Sequence, residues 1–418
     1  MPTAPADDPR PARLGNRVAA VRPAAPTAAV DLAALLLDEA RAVGASDVHL
    51  QPTPSGLEVR FRVDGVLAEV AKLPAAIAPN VVARFKVLAD LLTYRTDVPQ
   101  EGRIRLGAGA GVGEVRVSTF PTLHGERAAI RLLAPPGERL RLADLGLPGD
   151  VAGALGRHLL ATAGAIVVTG PAGTGKTTTT YACLREVVAG AGGGRATMTL
   201  EDPIEAALPG VVQAQANPAA GFDLAGGLRS LLRQDPEVIA VGEIRDRATA
   251  EVAFQAALTG HLVLTTFHAG SAAGAIRRLL EMAIEPYLIR SGLLLIVSQR
   301  LVRALCPCAR PATPADAADP RATAGLPVAP GRVAVGCDAC RGTGYRGRSA
   351  LAERLEPARL PADALDPGRG DLAALEGRAV AAGMVPLWDR ALAAVADGRT
   401  TPTEVRRVLG FPGAGSAI

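Results

Sequence analysis

Residues 170–177, GPAGTGKT, place Gly170, Gly175, Lys176 and Thr177 in the spacing G-x-x-x-x-G-K-[ST]. A short, wholly apolar run precedes them and a helix-compatible run follows, the setting in which such a loop holds phosphate. The stretch Gly170, Pro171, Ala172, Gly173, Thr174, Gly175 turns main-chain amides inward around phosphate oxygens. A helix opening at Lys176, Thr177 and Thr178 adds a dipole that favours negative charge. Lys176 would bring its ammonium to the β- and γ-phosphates of ATP, and the Thr177 hydroxyl would ligate Mg²⁺. The chain has 45 Lys and Arg residues, but only Lys72, Lys86 and Lys176 are lysines. Lysine is kept in this loop because a broad guanidinium follows the tight turn poorly.

Holding phosphate is not hydrolysis, which also needs a carboxylate to organise metal and water. VIAVGEIRD, residues 238–246, sets Glu243 at the carboxyl end of an apolar strand, where open α/β sheets bind ligands. Glu243 is expected to hold Mg²⁺ through water and to activate the attacking water. TLEDPIE, residues 199–205, ends another apolar strand with Glu201, Asp202 and Glu205, either an acidic turn or a cation-binding cluster. His261 and His268 flank a third apolar strand. Their types alone leave a structural role and a γ-phosphate-sensing role both open.

Cys306 and Cys308 form C-x-C, and Cys337 and Cys340 form C-x₂-C. Four thiolates suit a tetrahedral structural Zn²⁺ site. Cys183, in the helix after the phosphate loop, reads as core packing.

Positioning these groups requires a doubly wound α/β sheet, and the apolar runs at 165–170, 197–200, 238–241 and 262–266 alternate with helical stretches as such a sheet demands. The expected organisation is an Ala/Pro-rich disordered tail over 1–29, an α+β domain over 30–134 and a linker over 135–150. A P-loop core over 151–302, a four-cysteine module over 303–348 and a helical region over 349–418 follow. Within the first domain, Leu57, Val59, Phe61 and Val63 alternate with polar residues ahead of Asp64-Gly65, which predicts a hairpin.

The formal net charge is +4 with no long basic block, so charge gives no reason to expect nucleic acid as a partner. Five cysteines in 418 residues are not a secreted disulfide framework. Neither a signal peptide nor a membrane-spanning run is expected, which favours a cytoplasmic protein.

Taken together, the motifs resemble the ATPase family of type II secretion and type IV pilus assembly. The carriers are GPAGTGKTT, TLEDPIE, LRQDPEVIAVGEIRD (232–246) and TGHLVLTTFHA (259–269), with ASDVHLQP, PQEGRI and RVSTFPTLHGERAAIRLL upstream and GCDACRGTGYRGR downstream. The resemblance implies a RecA-like core in a homo-hexameric motor, peripheral to the cytoplasmic face of the inner membrane. Its implied partners are an inner-membrane platform protein and a membrane-anchored docking protein. It implies Glu243 as catalytic glutamate, Glu201 in support of metal and water, and His261 and His268 lining the site. Arg103 and Arg116 fall on family arginines that approach the phosphates. The family has C-x₂-C where this chain has Cys306-x-Cys308. The short stretch ahead of the shared domain leads us to expect no folded docking domain, which leaves secretion and pilus extension both open. A nucleotide-binding scaffold and a DNA-translocating motor are the competing classes.

Overall fold

The computed structural model describes residues 17–18, 25–105, 114–132, 140–190, 194–365 and 371–411. The chain divides into two compact units, one of residues 1–138, 306–309 and 334–347, the other of residues 139–305, 310–333 and 348–418.

The first unit contains α1 (Ala28–Ala42), β1 (Ala45–Thr53), β2 (Gly56–Val63), β3 (Val66–Pro74), α2 (Ala78–Leu88), β4 (Gln100–Arg105), β5 (Glu114–Thr122) and β6 (Gly125–Leu132). Its sheet runs β3-β2-β1-β6-β5-β4, each neighbour antiparallel. The alternation expected in 57–63 is realised, with Leu57, Val59 and Phe61 buried. Asp64 and Gly65 close the hairpin with φ of 48° and 81°, as a two-residue turn between twisted strands requires. Leu32, Leu36 and Ala40 of α1 and Val81, Val82 and Phe85 of α2 share the core with the sheet. Lys86 is fully buried, yet its Nζ donates to both carboxylate oxygens of Glu126 at 2.8 and 3.0 Å and to the Arg95 carbonyl at 2.7 Å. A compact ammonium with three donors satisfies that pocket, which accounts for a second of the rare lysines.

The second unit contains α3 (Gly149–His158), β7 (Gly164–Thr169), α4 (Lys176–Ala189), β8 (Thr197–Glu201), β9 (Val212–Gln215), α5 (Leu224–Leu231), β10 (Val238–Val241), α6 (Arg247–Leu258) and β11 (Leu262–Phe267). It continues through α7 (Ala272–Glu281), α8 (Pro286–Gly292), β12 (Leu293–Leu305), β13 (Tyr345–Leu355, in this unit from Arg348), α9 (Leu372–Ala381), α10 (Leu387–Ala396) and α11 (Pro402–Leu409). Its sheet runs β13-β12-β7-β11-β10-β8-β9. All pairings from β12 to β9 are parallel. Both faces are covered, which is why β7, β10 and β11 read as unbroken apolar runs. Ala165, Val167, Ile239 and Val263 meet α5–α8 on one face. Ile166, Val238, Ala240 and Leu264 meet α3 and α4 on the other.

The region 349–418 was expected to be helical, but β13 occupies the sheet edge to Leu355; among the described residues its α-helices are α9, α10 and α11, from Leu372 to Leu409. Residues 350–353 are buried without interruption, and an Ala-rich run of that kind carries no period to separate strand from helix. Among the described residues, no helix is long and apolar enough to cross a membrane.

Candidate active site

The phosphate loop follows β7 and leads into α4. Gly170, Gly173 and Gly175 have φ of 146°, 76° and 85°, a region closed to most side chains. A Cβ on Gly170 would lie 2.6 Å from the Gln299 carbonyl oxygen, so only glycine lets the loop approach β12. Lys176 Nζ donates to the carbonyls of Gly170 and Pro171 at 2.8 and 3.0 Å. Burial holds its pKa below the usual lysine value, with Arg300 adding to the effect and Glu243 and Glu205 opposing it. The Thr177 hydroxyl donates to Glu205 at 3.3 Å.

The sheet order inserts β11 between the loop strand β7 and β10, which carries Glu243 at its tip. Both neighbours of Glu243 are fixed to Thr266 of β11. The Thr266 hydroxyl donates to the Gly242 carbonyl at 2.7 Å, and the Ile244 N–H donates to the Thr266 carbonyl at 3.0 Å. Gly242 also passes close to β8, where an added Cβ would stand 3.2 Å from Glu201 Cα. The Glu243 carboxylate then meets His268 Nε2 at 3.0 Å and Arg245 Nε at 3.2 Å. A carboxylate only accepts, so Nε2 carries the proton. Burial lowers the His268 pKa below 6.5, and Lys176 lowers it further while Glu243 opposes. Lys176, Glu243, Glu205, Thr177 and His268 are therefore gathered at the carboxyl edge of one sheet.

The structure sets two of the expected site residues apart from this group. His261 sits at the start of β11, its ring Nδ1 3.1 Å from the Ala256 carbonyl oxygen, and its own carbonyl accepts from Gly164 where β7 begins. A six-residue strand separates it from His268 by about 20 Å, so within the protomer it does not line this site. Glu201 is buried, and its carboxylate accepts from the hydroxyls of Tyr181 and Thr199 and from the Gln213 amide. Burial and this carboxylate push the Tyr181 phenol well above its ordinary pKa. Glu201 thus anchors the end of β8, and Glu205 is the acid of that stretch that reaches the loop. Arg103 and Arg116 stand opposite each other on β4 and β5 of the first unit.

Gln299 and Arg300 of β12 open the stretch QRLVRALC (299–306), which also resembles the family, but the sequence alone assigned them no role. Gln299 Nε2 donates to the Thr174 carbonyl at 2.7 Å and Gln299 Oε1 accepts from the Thr179 hydroxyl at 3.0 Å. Arg300 donates to the carbonyls of Gln299 and Gly270 at 3.0 and 2.7 Å.

The four late cysteines converge in the first unit, all Sγ atoms within 4.8 Å of one another. Sγ separations of 3.9, 3.8 and 3.7 Å link Cys306–Cys337, Cys308–Cys340 and Cys337–Cys340. These fit the roughly 3.8 Å edge of a tetrahedron with metal–sulfur bonds of about 2.3 Å. The shortened C-x-C pair is accommodated by a tight turn in which the Ala309 N–H donates to the Cys306 carbonyl at 2.9 Å. Burial alone would raise the Cys340 thiol. The Cys337 and Gly344 amides aimed at its sulfur outweigh that and bring its pKa down to about 7.

Comparison with known proteins agrees with this architecture. The profile described as "Type II/IV secretion system protein" matches residues 26–407. Type II secretion system protein E of Pseudomonas aeruginosa is 46% identical over 320 residues, 76% of this chain and 63% of that protein. Type II secretion system ATPase E of Vibrio cholerae is 45% identical over 322 residues, 77% of this chain and 63% of that protein. The chain spans about two thirds of the length of these curated relatives. The ATPase DotB of Legionella pneumophila superposes with a TM-score of 0.64 at 21% identity, covering 90% of this chain and 94% of that one. The pilus retraction motor PilT gives 0.53 at 23% identity, covering 89% and 98%. At that identity the likeness concerns the fold alone, a RecA-like α/β core. The match across residues 26–407 and the identity to its members place this chain in the type II/IV secretion system protein family.

Proposed function

We propose that the chain is an ATP-hydrolysing motor acting at the cytoplasmic face of the inner membrane to drive assembly of a type II secretion pseudopilus or a type IV pilus. One observation carries the reading. Lys176 of the phosphate loop, Glu243 at the tip of β10 and His268 after β11 meet at one edge of one sheet, with His268 bonded to Glu243.

In this reading the loop amides and Lys176 bind the β- and γ-phosphates. Glu243 orients a water for in-line attack and takes its proton as the bond from the γ-phosphorus to the bridging oxygen breaks, leaving ADP and phosphate. Neutral His268 and Arg245 hold the Glu243 carboxylate in place. Thr177, Glu205 and Glu243 are hard oxygen donors that fit Mg²⁺, which when bound would offset charge on the phosphate oxygens. The cysteine centre is proposed to hold one structural Zn²⁺. A hexameric ring, an inner-membrane platform protein and a membrane-anchored docking protein are the proposed partners, supported by family membership.

Lys176→Ala tests the assignment. Steady-state phosphate release should fall to background, and turnover equal to the unaltered protein would refute it.

A further inference from the structure

We propose that Gln299 is a positioning residue for nucleotide phosphate, acting through the backbone of the phosphate loop. The proposal rests on the ATPase reading above and deepens it.

Gln299 lies on β12, beside the loop strand β7, and is 2% exposed. Its two amide atoms do different work. The Thr174 carbonyl can only accept, so the group facing it at 2.7 Å is the Gln299 NH₂. That fixes Gln299 Oε1 towards the Thr179 hydroxyl, 3.0 Å away in the first turns of α4. One side chain thus ties the last bend of the loop to the helix that follows it. The carbonyl and N–H of a trans peptide point in opposite directions. Holding the Thr174 carbonyl towards β12 therefore aims the Gly175 N–H away from β12. Gly175 is left-handed, with φ of 85°, and has no steric preference of its own to hold that peptide plane. The plane is set from outside, by Gln299.

The chemistry is selective. Glutamate cannot donate to the carbonyl and would bury a negative charge beneath a phosphate site. Methionine keeps the volume and removes both bonds. Thr179→Val removes only the helix side of the clamp, and Thr179→Ser keeps it.

The experiment measures Kd for MgATP and MgADP, together with KM and kcat, for the unaltered chain and for Q299M, Q299E, T179V and T179S, with the thermal midpoint without nucleotide as a fold control. The expected result is a rise of about tenfold in Kd and KM for Q299M, and a larger one for Q299E, with the smaller change in kcat. T179V should shift Kd by a few-fold and T179S should restore it. A side chain that merely stabilised the fold would lower the active fraction, and with it apparent kcat, at constant KM. Wild-type Kd and KM in folded Q299M, or in T179V should Q299M not fold, would overturn the proposal. If the unaltered chain bound no nucleotide, the ATPase reading itself would fail, a different result from loss confined to the variants.

Discussion

His268 Nε2 lies 3.0 Å from a carboxylate oxygen of Glu243, although the two residues end different strands. The separation follows from sheet order. β11 runs between the phosphate-loop strand and β10, so its last residues come between Lys176 and Glu243. Burial, and then the nearby Lys176, hold the imidazole below its ordinary pKa. Such a group gives up its proton more readily than an ordinary histidine. Histidine NMR titration should place His268 below 6.5, and a value above that would contradict the arrangement.

Replacing His268 by Ala should cut kcat by about tenfold or more, the scale of losing a hydrogen bond to a charged group. His261→Ala should leave turnover near the original level, because His261 lies at the far end of β11. Equal losses in the two variants would show that strand position is the wrong guide.

Glu353 gives a pH dependence of the opposite sense. It is buried and accepts from the first N–H groups of α7 (Ala272, 2.6 Å) and α10 (Leu387, 3.0 Å). Burial pushes its pKa up to about 7, against those two amides. With the folded value above the unfolded one, its contribution to stability is fully present below about pH 4.5 and is lost as pH rises through about 7. Glu353→Gln should flatten the stability profile across that window, by on the order of 3 kcal/mol. Denaturant midpoints measured between pH 5 and 8 check this, and an unchanged slope in the variant would count against it.

Lys86→Met should destabilise the first unit by about 3 to 5 kcal/mol, because it strands the buried Glu126 carboxylate. Lys86→Met combined with Glu126→Leu should recover much of the loss. Chemical denaturation of the single and double variants tests the pair, and a double variant as weak as the single would argue against it.

The cysteine centre should carry one zinc per protomer. Strong chelation should remove it and lower the thermal midpoint, and Cys340→Ser should prevent loading. Elemental analysis giving less than one zinc per about four protomers would rule out a resident metal.

Much of the site was legible because its chemistry is tied to sequence-local patterns. The loop glycines, Lys176 and Thr177 are contiguous, and Glu243 is named by the apolar strand before it. What remained hidden depends on which strands become neighbours. His261 and His268 look equivalent in TGHLVLTTFHA until six extended residues carry one to each edge of the sheet. Glu201 reads as an acid in support of metal and water, and only the fold shows Tyr181 and Gln213, distant in sequence, closing around it. Gln299 opens the family-like stretch QRLVRALC, but its role exists only when β12 pairs with β7. The strands β12 and β13 escaped for a related reason. Gln299 interrupts the apolar pattern of β12, and the unbroken burial of residues 350–353 leaves β13 without a period.

In the proposed mechanism Glu243 readies water for attack on a phosphoryl group held by the loop. Glu243→Gln keeps the shape and removes the base. Nucleotide binding and steady-state ATP turnover should be measured side by side in the two proteins. MgATP affinity should stay within a few-fold of the original, and turnover should be lower by about a hundredfold or more. Undiminished turnover in a variant that still binds MgATP would contradict it.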